Sequence, residues 1–357
     1  MAEASLEGEQ RVFMTGNEVV AWAAVAAKAD IMYGYPITPQ NEIMHYWTRL
    51  APKYGKRFLQ TEDEISAGFT TLGGVMTGRK AFTATAGPGN VLMQESAVMA
   101  EMMRLPIVYV IQQRGGPSTA TVIYAQQEYR MTTFGGNGEG HRIVYSTATH
   151  QELFDYTIKA FNMAWTYRFP AFVLGDGYQA KMRETLTIYD PEERGQTLAK
   201  PEAILGETSE PFRHLRNTYN TEDELYEVVL AHQKDWDAMA PKIVEWDEQG
   251  CEDAEIILVT HGVVSRAALG AYKQLRAQGK KVGCFRPITV RPFPEEQLVK
   301  SVKNAKKLLV AESAYGQFLQ SVQTALYRNP VEIVPVLRPG VGITTEEILE
   351  EYAKLSK

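Results

Sequence analysis

Three short strings bring together residue types suited to capturing an anion. Tyr35-Pro36-Ile37-Thr38-Pro39 offers a hydroxyl between prolines, Glu62-Asp63-Glu64 offers carboxylates, and Arg114-Gly115-Gly116-Pro117-Ser118-Thr119 offers a guanidinium followed by two glycines. An Arg at a strand end next to flexible backbone can meet a carboxylate or phosphate through paired, charge-assisted hydrogen bonds. Each string also has a plain structural reading: Thr38 as a helix N-cap, Glu64 as a first-turn carboxylate stabilised by the helix dipole, Arg114 as a surface ion pair. Their placement favours one shared pocket. All three fall where a strand should end, and open α/β sheets bind ligands at that carboxyl edge.

Other suggestive strings fail. Gly73 and Gly78 have the spacing of a phosphate loop, but Arg79-Lys80 follows instead of Lys and a hydroxyl residue. The six histidines form no HxH or HxxxH pair, and no GxSxG elbow occurs, so a zinc hydrolase and a serine triad lack support.

The elements that must position the three strings read as an α/β domain. The capping box Thr15-x-x-Glu18 opens a helix running to about Lys28. A strand follows at about 31–34, and Thr38-Pro39 reads as the start of a second helix. Strands at about 57–61, 80–86, 106–113, 142–148 and 170–176 alternate with helices at about 63–77, 89–104 and 151–168, giving six strands. Pro201, Gly206 and Pro211 then interrupt the rhythm before one polar helix from Thr221 to Trp246. It resumes with strands near 255–260, 281–286, 306–311 and 331–337 and helices near 264–278, 294–304 and 316–327. The expected division is 1–190, a linker with one helix at 191–250, and a smaller α/β domain at 251–357. A length of 357 residues accommodates two domains at about 150 residues each.

Composition narrows the partners. Lys and Arg total 37 against 43 Asp and Glu, a net charge of -6 with no long basic run, which argues against nucleic acid. Cys251 and Cys284 are the only cysteines, too few for the four thiolates of an iron–sulfur cluster, so any such cluster belongs to another chain. No metal site is expected within the chain. Met1-Ala2-Glu3-Ala4 lacks the pattern of a signal peptide, and the longest apolar stretch, Val19 to Ala27, is about half a membrane span. A cytoplasmic location away from membranes is expected.

The strings together resemble the α subunit of 2-oxoacid:ferredoxin oxidoreductases. The resemblance is carried by the three strings above with Thr83-Ala84-Thr85-Ala86-Gly87-Pro88-Gly89 and Leu92-Met93-Gln94-Glu95. It continues through Arg286-Pro287-Ile288-Thr289, Pro292-Phe293-Pro294-Glu295-Glu296, Glu312 with Gly316-Gln317, and Arg338-Pro339-Gly340-Val341-Gly342. It implies an α/β fold with a thiamine diphosphate-binding domain of the pyrimidine-binding type and a smaller domain like the transketolase C-terminal domain. It also implies coenzyme A-dependent oxidative decarboxylation of a 2-oxoacid, with electrons passing to iron–sulfur clusters on partner chains. Glu64 would hydrogen-bond N1′ of the cofactor's aminopyrimidine, favouring the tautomer whose 4′ nitrogen accepts the C2 proton. Thr38 and Arg114 would meet the substrate carboxylate, while Pro36, Gly87 and Gly89 would contact the cofactor. Glu62 and Asp63 are weaker choices for N1′.

The resemblance further implies that the diphosphate half of the site lies elsewhere. Gly175-Asp176-Gly177 looks like the diphosphate-domain signature, yet no Asn follows through Leu205. Asp176 is therefore read as a strand-end residue, and a β subunit would hold the diphosphate and magnesium. Further expected partners are a γ subunit, a ferredoxin-like δ subunit or both, and a ferredoxin, in a dimer of heteromers. The string at Gly175, the Arg286 to Glu296 region and the linker resemble the 2-oxoisovalerate subgroup. The Gly115 to Thr119 loop and Thr61 to Ile65 resemble the 2-oxoglutarate subgroup. Gly136-Asn137-Gly138-Glu139-Gly140-His141 departs from the Gly-His-Gly-Asp element of both, which removes support for a substrate role of His141. Two alternatives are a self-sufficient thiamine enzyme of the transketolase type and a non-catalytic scaffold subunit with the same fold.

Overall fold

A computed structural model describes residues 4–204 and 215–355, so Gly206 and Pro211 of the linker lie outside the described residues. The first α/β region contains strands β1 (Gln10–Thr15), β2 (Ile31–Gly34), β3 (Arg57–Gln60), β4 (Ala81–Thr85), β5 (Val108–Gln113), β6 (Ile143–Ser146), β7 (Ala171–Asp176) and β8 (Arg183–Ile188). Its helices are α1 (Gly16–Ala26), α2 (Asn41–Leu50), α3 (Glu64–Met76), α4 (Pro88–Leu92), α5 (Gln94–Met103), α6 (Tyr129–Phe134), α7 (His150–Tyr167) and α8 (Gly177–Lys181). The rest carries α9 (Glu222–Ile243), β9 (Trp246–Gln249), β10 (Ile256–Thr260), α10 (Val264–Ala277), β11 (Val282–Pro287), β12 (Thr289–Arg291), α11 (Glu295–Ser301), β13 (Lys307–Glu312), α12 (Gln317–Ala325), β14 (Glu332–Leu337) and α13 (Thr345–Leu355).

The larger sheet runs β12-β6-β7-β5-β4-β2-β3, parallel except for β12. Its central strands are buried along their whole length, apolar or small until polar residues at the carboxyl end, as in Val108–Gln113 and Ala171–Asp176. Helices α1 and α7 share one face with Trp47 of α2, where Phe82, Phe154 and Phe161 pack. Ten of the eleven residues of α1 are buried, which explains why its sequence is nearly all Ala and Val after Glu18. Helices α3 and α5 cover the other face, and their core continues into Val259, Phe285, Leu308 and Phe318 of the second region. The smaller sheet runs β14-β13-β10-β11-β9, with β9 antiparallel.

Several expectations need correction. Thr38-Pro39 opens a turn rather than a helix. The Ile37 carbonyl accepts the amides of Gln40 and Asn41, and α2 starts only at Asn41 with no side-chain cap. The larger sheet has seven strands, because β12, part of the Arg286 to Thr289 neighbourhood, returns to pair with β6. A separate ribbon of β1 and β8 was not expected from the sequence. The helix expected over 89–104 is broken at Met93. The helix expected to reach Trp246 ends at Ile243, and Trp246 instead begins the edge strand β9. Helix α13 adds a layer against α10 that the sequence reading left out. The Thr15 cap stands as expected, its hydroxyl accepting the Glu18 amide.

Candidate active site

Between β2 and β4 the chain order of the larger sheet reverses, and a crevice at such a switch point is where α/β sheets take ligands. The loops after β2, β4 and β5 and the N-terminus of α3 all emerge at this carboxyl edge. They bring Thr38, Gly87, Gly89, Arg114 and Glu64 to the same end of the sheet.

Glu64 is held by the cap of its own helix. Asp63 is extended, and its carboxylate accepts the Ser66 amide at 2.7 Å, which fixes the first turn of α3. Asp63 thus has a capping role and Glu62 points to solvent, while Glu64 is 6% exposed. Burial pushes the Glu64 carboxyl above the ordinary carboxylate range; its own backbone amide and the Arg114 guanidinium oppose that rise, and Asp63 adds to it. A carboxyl biased toward its protonated form can donate as well as accept a hydrogen bond.

Gly89 abuts this carboxyl. A Cβ there would lie 2.1 Å from Thr85 Oγ1 and 2.7 Å from Glu64 Oε1, so only glycine lets both side chains pack against this turn. Gly87 performs the same service for Arg114: its φ is +53°, and a Cβ would sit 2.4 Å from Arg114 Nε. The guanidinium is anchored by Nη1 donating to the Thr38 carbonyl at 2.8 Å. Arg114 is 4% exposed, and its Nε has no hydrogen-bond partner; the Thr85 hydroxyl is likewise buried and unpartnered. Thr38 is half-buried beside this pair, and Pro36 is exposed at the rim. Two orphaned polar atoms thus lie beside a buried acid, and the side chains of Glu64, Thr85 and Arg114 pack directly on the backbone of Gly87 and Gly89.

The sequence reading missed Glu128. This buried carboxylate accepts the backbone amides of Gly87 at 2.8 Å and Arg114 at 2.9 Å, and Asn90 Nδ2 at 3.0 Å. Its only signal was a lone Glu after Gln126-Gln127, which no spacing rule distinguishes from a surface acid. Asp176 ends β7, and its carboxylate accepts the amides of Tyr178 and Gln179 as the cap of α8. His141 lies before β6, at the opposite edge of the sheet, paired with Gln233. Among the described residues no group of three or more His, Cys, Asp or Glu side chains is arranged for a metal, and no helix is long and apolar enough to cross a membrane.

Residues 22–247 match the family described as pyruvate flavodoxin/ferredoxin oxidoreductase, thiamine diP-bdg, and residues 254–348 match pyruvate:ferredoxin oxidoreductase core domain II. The chain belongs to the 2-oxoacid:ferredoxin oxidoreductase family. It is 35% identical to 2-oxoglutarate synthase subunit KorA of Methanocaldococcus jannaschii, over 95% of this chain and 98% of that protein. It is 34% identical to ketoisovalerate oxidoreductase subunit VorB of Methanothermobacter marburgensis, over 89% and 91%. Among solved structures, the 2-oxoglutarate:ferredoxin oxidoreductase from Magnetococcus marinus with 2-oxoglutarate, coenzyme A and succinyl-CoA bound superposes with a TM-score of 0.87 at 25% identity. That alignment covers 97% of this chain and 65% of the Magnetococcus chain. The expected α/β fold, a thiamine diphosphate-binding domain followed by a smaller α/β domain like the transketolase C-terminal domain, is therefore correct, the smaller domain being the one that matches core domain II, and so is the assignment to the α subunit of these oxidoreductases.

Proposed function

We propose that this chain supplies the pyrimidine-side half of a thiamine diphosphate site in a heteromeric, cytoplasmic 2-oxoacid:ferredoxin oxidoreductase. A β subunit would contribute the diphosphate-binding half with magnesium. A γ chain, a ferredoxin-like δ chain or both would carry the iron–sulfur clusters toward ferredoxin, in a dimer of heteromers. Coenzyme A would accept the acyl group. The substrate class is a 2-oxoacid of the 2-oxoglutarate or branched-chain kind, since relatives named for each are similarly close, at 35% and 34% identity. The observation that carries the reading is the convergence of a buried, proton-biased Glu64, packed on Gly89, with the anchored Arg114, packed on Gly87, at one sheet edge.

The unpartnered Thr85 hydroxyl and Arg114 Nε beside the buried Glu64 carboxyl are polar atoms that a bound cofactor or substrate could satisfy. When bound, thiamine diphosphate supplies the carbon nucleophile for the ketone and takes up the electron pair left by carbon dioxide. Glu64 holds a proton at N1′ of the aminopyrimidine, and its raised proton affinity suits that task. Arg114 and Thr38 orient the substrate carboxylate, the guanidinium being fixed in advance by the Thr38 carbonyl so that little order is lost on binding. Asp176 is engaged by the amides of its own helix, which supports placing the diphosphate on another chain. A partially exposed apolar fringe supports a covering partner: Ile65 and Phe69 of α3 and Val91 and Leu92 of α4 are 37–54% exposed beside Glu64 and Gly89.

Glu64→Gln tests the reading. The complex should assemble normally and lose turnover by about a hundredfold or more. Near-normal activity at saturating cofactor would sink the assignment. Arg114→Ala should raise KM for the oxoacid and leave KM for coenzyme A nearly unchanged, and equal effects on both would remove carboxylate recognition from Arg114. Tight, magnesium-dependent cofactor binding by the isolated chain would instead favour a self-sufficient enzyme.

A further inference from the structure

We infer that Glu128 is a positioning residue for the active site, and that segment 124–130 around it is a strap by which the second sheet holds the catalytic edge in shape. The argument starts from one carboxyl group. Glu128 Oε1 accepts the amides of Gly87 and Arg114 together, and Oε2 accepts Asn90 Nδ2. Gly87 and Arg114 belong to the loops after β4 and β5, so a single buried side chain fixes the distance between their backbones. Beside it, Gln127 Oε1 accepts the Gly116 amide at 3.0 Å, extending the hold along the same loop.

The flanking residues of the strap are tied to the other sheet. Gln126 donates its amide to the Ser313 carbonyl at 3.1 Å, and Ser313 returns its own amide to Gln126 Oε1 at 2.9 Å. Gln126 Nε2 also donates to the carbonyl of His261, at the end of β10, at 2.9 Å. Tyr124 and Tyr129 reach the hydroxyls of Ser313 and Ser321 at 2.8 and 3.0 Å, and Gln317 Nε2 donates to the Gln127 carbonyl at 2.8 Å. The strap therefore links the C-terminal end of β13 and the start of α12 directly to Gly87 and Arg114. Removing this acceptor leaves two buried amides unmatched. The two site loops would then lose their common reference point.

This inference rests on the reading that Arg114 meets the oxoacid and that Gly87 and Gly89 receive the cofactor. The test uses the reconstituted complex, with calorimetric binding of thiamine diphosphate in magnesium and separate KM values for oxoacid and coenzyme A. Glu128→Ala should raise both the cofactor Kd and the oxoacid KM about tenfold or more, leaving KM for coenzyme A unchanged. Glu128→Gln keeps a carbonyl oxygen for the two amides and should stay within about threefold of the parent in both constants. Gln126→Ala loosens the strap from its far end without touching Gly87 or Arg114, and should move the same two constants in the same direction by a smaller factor. A Glu128→Ala complex that loses thermal stability while Kd and KM hold overturns the inference, as does an equal loss in the Gln variant. If Glu128→Ala does not assemble, unchanged constants in Gln126→Ala overturn it. Arg114→Ala run alongside separates the two ideas. An unchanged oxoacid KM there defeats the site reading and this inference with it, whereas a raised KM with silent Glu128 and Gln126 variants defeats the positioning role alone.

Discussion

At the level of single residues, the site is built as much from missing side chains as from reactive ones. Gly89 shows this best, because a methyl group there would collide with Thr85 Oγ1 and the Glu64 carboxyl together. Gly89→Ala should cost about 1–3 kcal/mol of stability through overpacking and displace Glu64 from its working position. Adding Thr85→Ala relieves the closer contact and should recover part of the stability by urea unfolding, with turnover still low. Recovery of full turnover in the double variant would mean that Gly89 does not shape the Glu64 position. The residues proposed to react were readable in the sequence, since Glu64 and Arg114 follow strand-like runs at the edge where α/β sheets take ligands. Glu128 was not readable, because its importance comes from two backbone amides brought near it only by folding.

Among the elements, α3 matters most for the proposed site, since Glu64 opens it. Its first turn depends on the Asp63 cap, and the adjacent Glu64 shares that turn. Asp63→Ala should fray the turn and lower turnover severalfold, while Asp63→Asn, also a good N-cap, should remain close to the parent. Equal activity of the Ala and Asn variants would show that the cap does not set the acid's position. The capping box of α1 and the apolar runs of the central strands are local signals, which is why those elements were legible. The ribbon of β1 with β8 and the pairing of β12 with β6 join residues more than a hundred positions apart, and no local pattern encodes such partners. The Thr38-Pro39 turn misled for a different reason: its residue types are those of a helix start, but the Ile37 carbonyl closes a turn first.

Across the whole molecule, the two sheets are joined by polar links as well as by core. Arg286 of β11 makes a two-pronged pair with Glu152 of α7 at 2.7 and 2.9 Å, with the arginine 8% exposed. Arg286→Ala should destabilise the protein on the order of 3 kcal/mol by leaving Glu152 without its counter-charge, and the double variant with Glu152→Ala should cost less than the sum of the two singles. His261 lies in the same seam, bonded to Ser146 and packed on Tyr129 and Phe318. Burial holds its pKa down to about 3, against an ordinary 6.5. The unfolded chain therefore takes up a proton below about pH 6.5 that the folded protein refuses, and stability falls as pH drops from there toward 3. Asp176 works the other way. Burial raises its pKa to about 7 from 3.8, so its share of stability is full below about 4 and is lost as pH rises toward 7. The parent can therefore show a flat profile between pH 5 and 7, and the informative quantity is a difference. His261→Asn should grow relatively more stable than the parent as pH falls across that range, by denaturant unfolding; parallel profiles would refute the buried neutral imidazole.

The strand β12 has a practical consequence. It is reached only after the chain has built β11 of the smaller sheet, yet it seals the β6 edge of the larger one. A fragment ending near residue 250 would keep every side chain of the proposed site and still present β6 as a bare, wholly buried-type edge. Such edges recruit strands from neighbouring molecules. Expressed alone, that fragment should aggregate through β6 and through the apolar face that otherwise packs on Val259, Phe285 and Phe318, and a short peptide spanning 286–293 supplied in trans should slow the aggregation by light scattering without abolishing it.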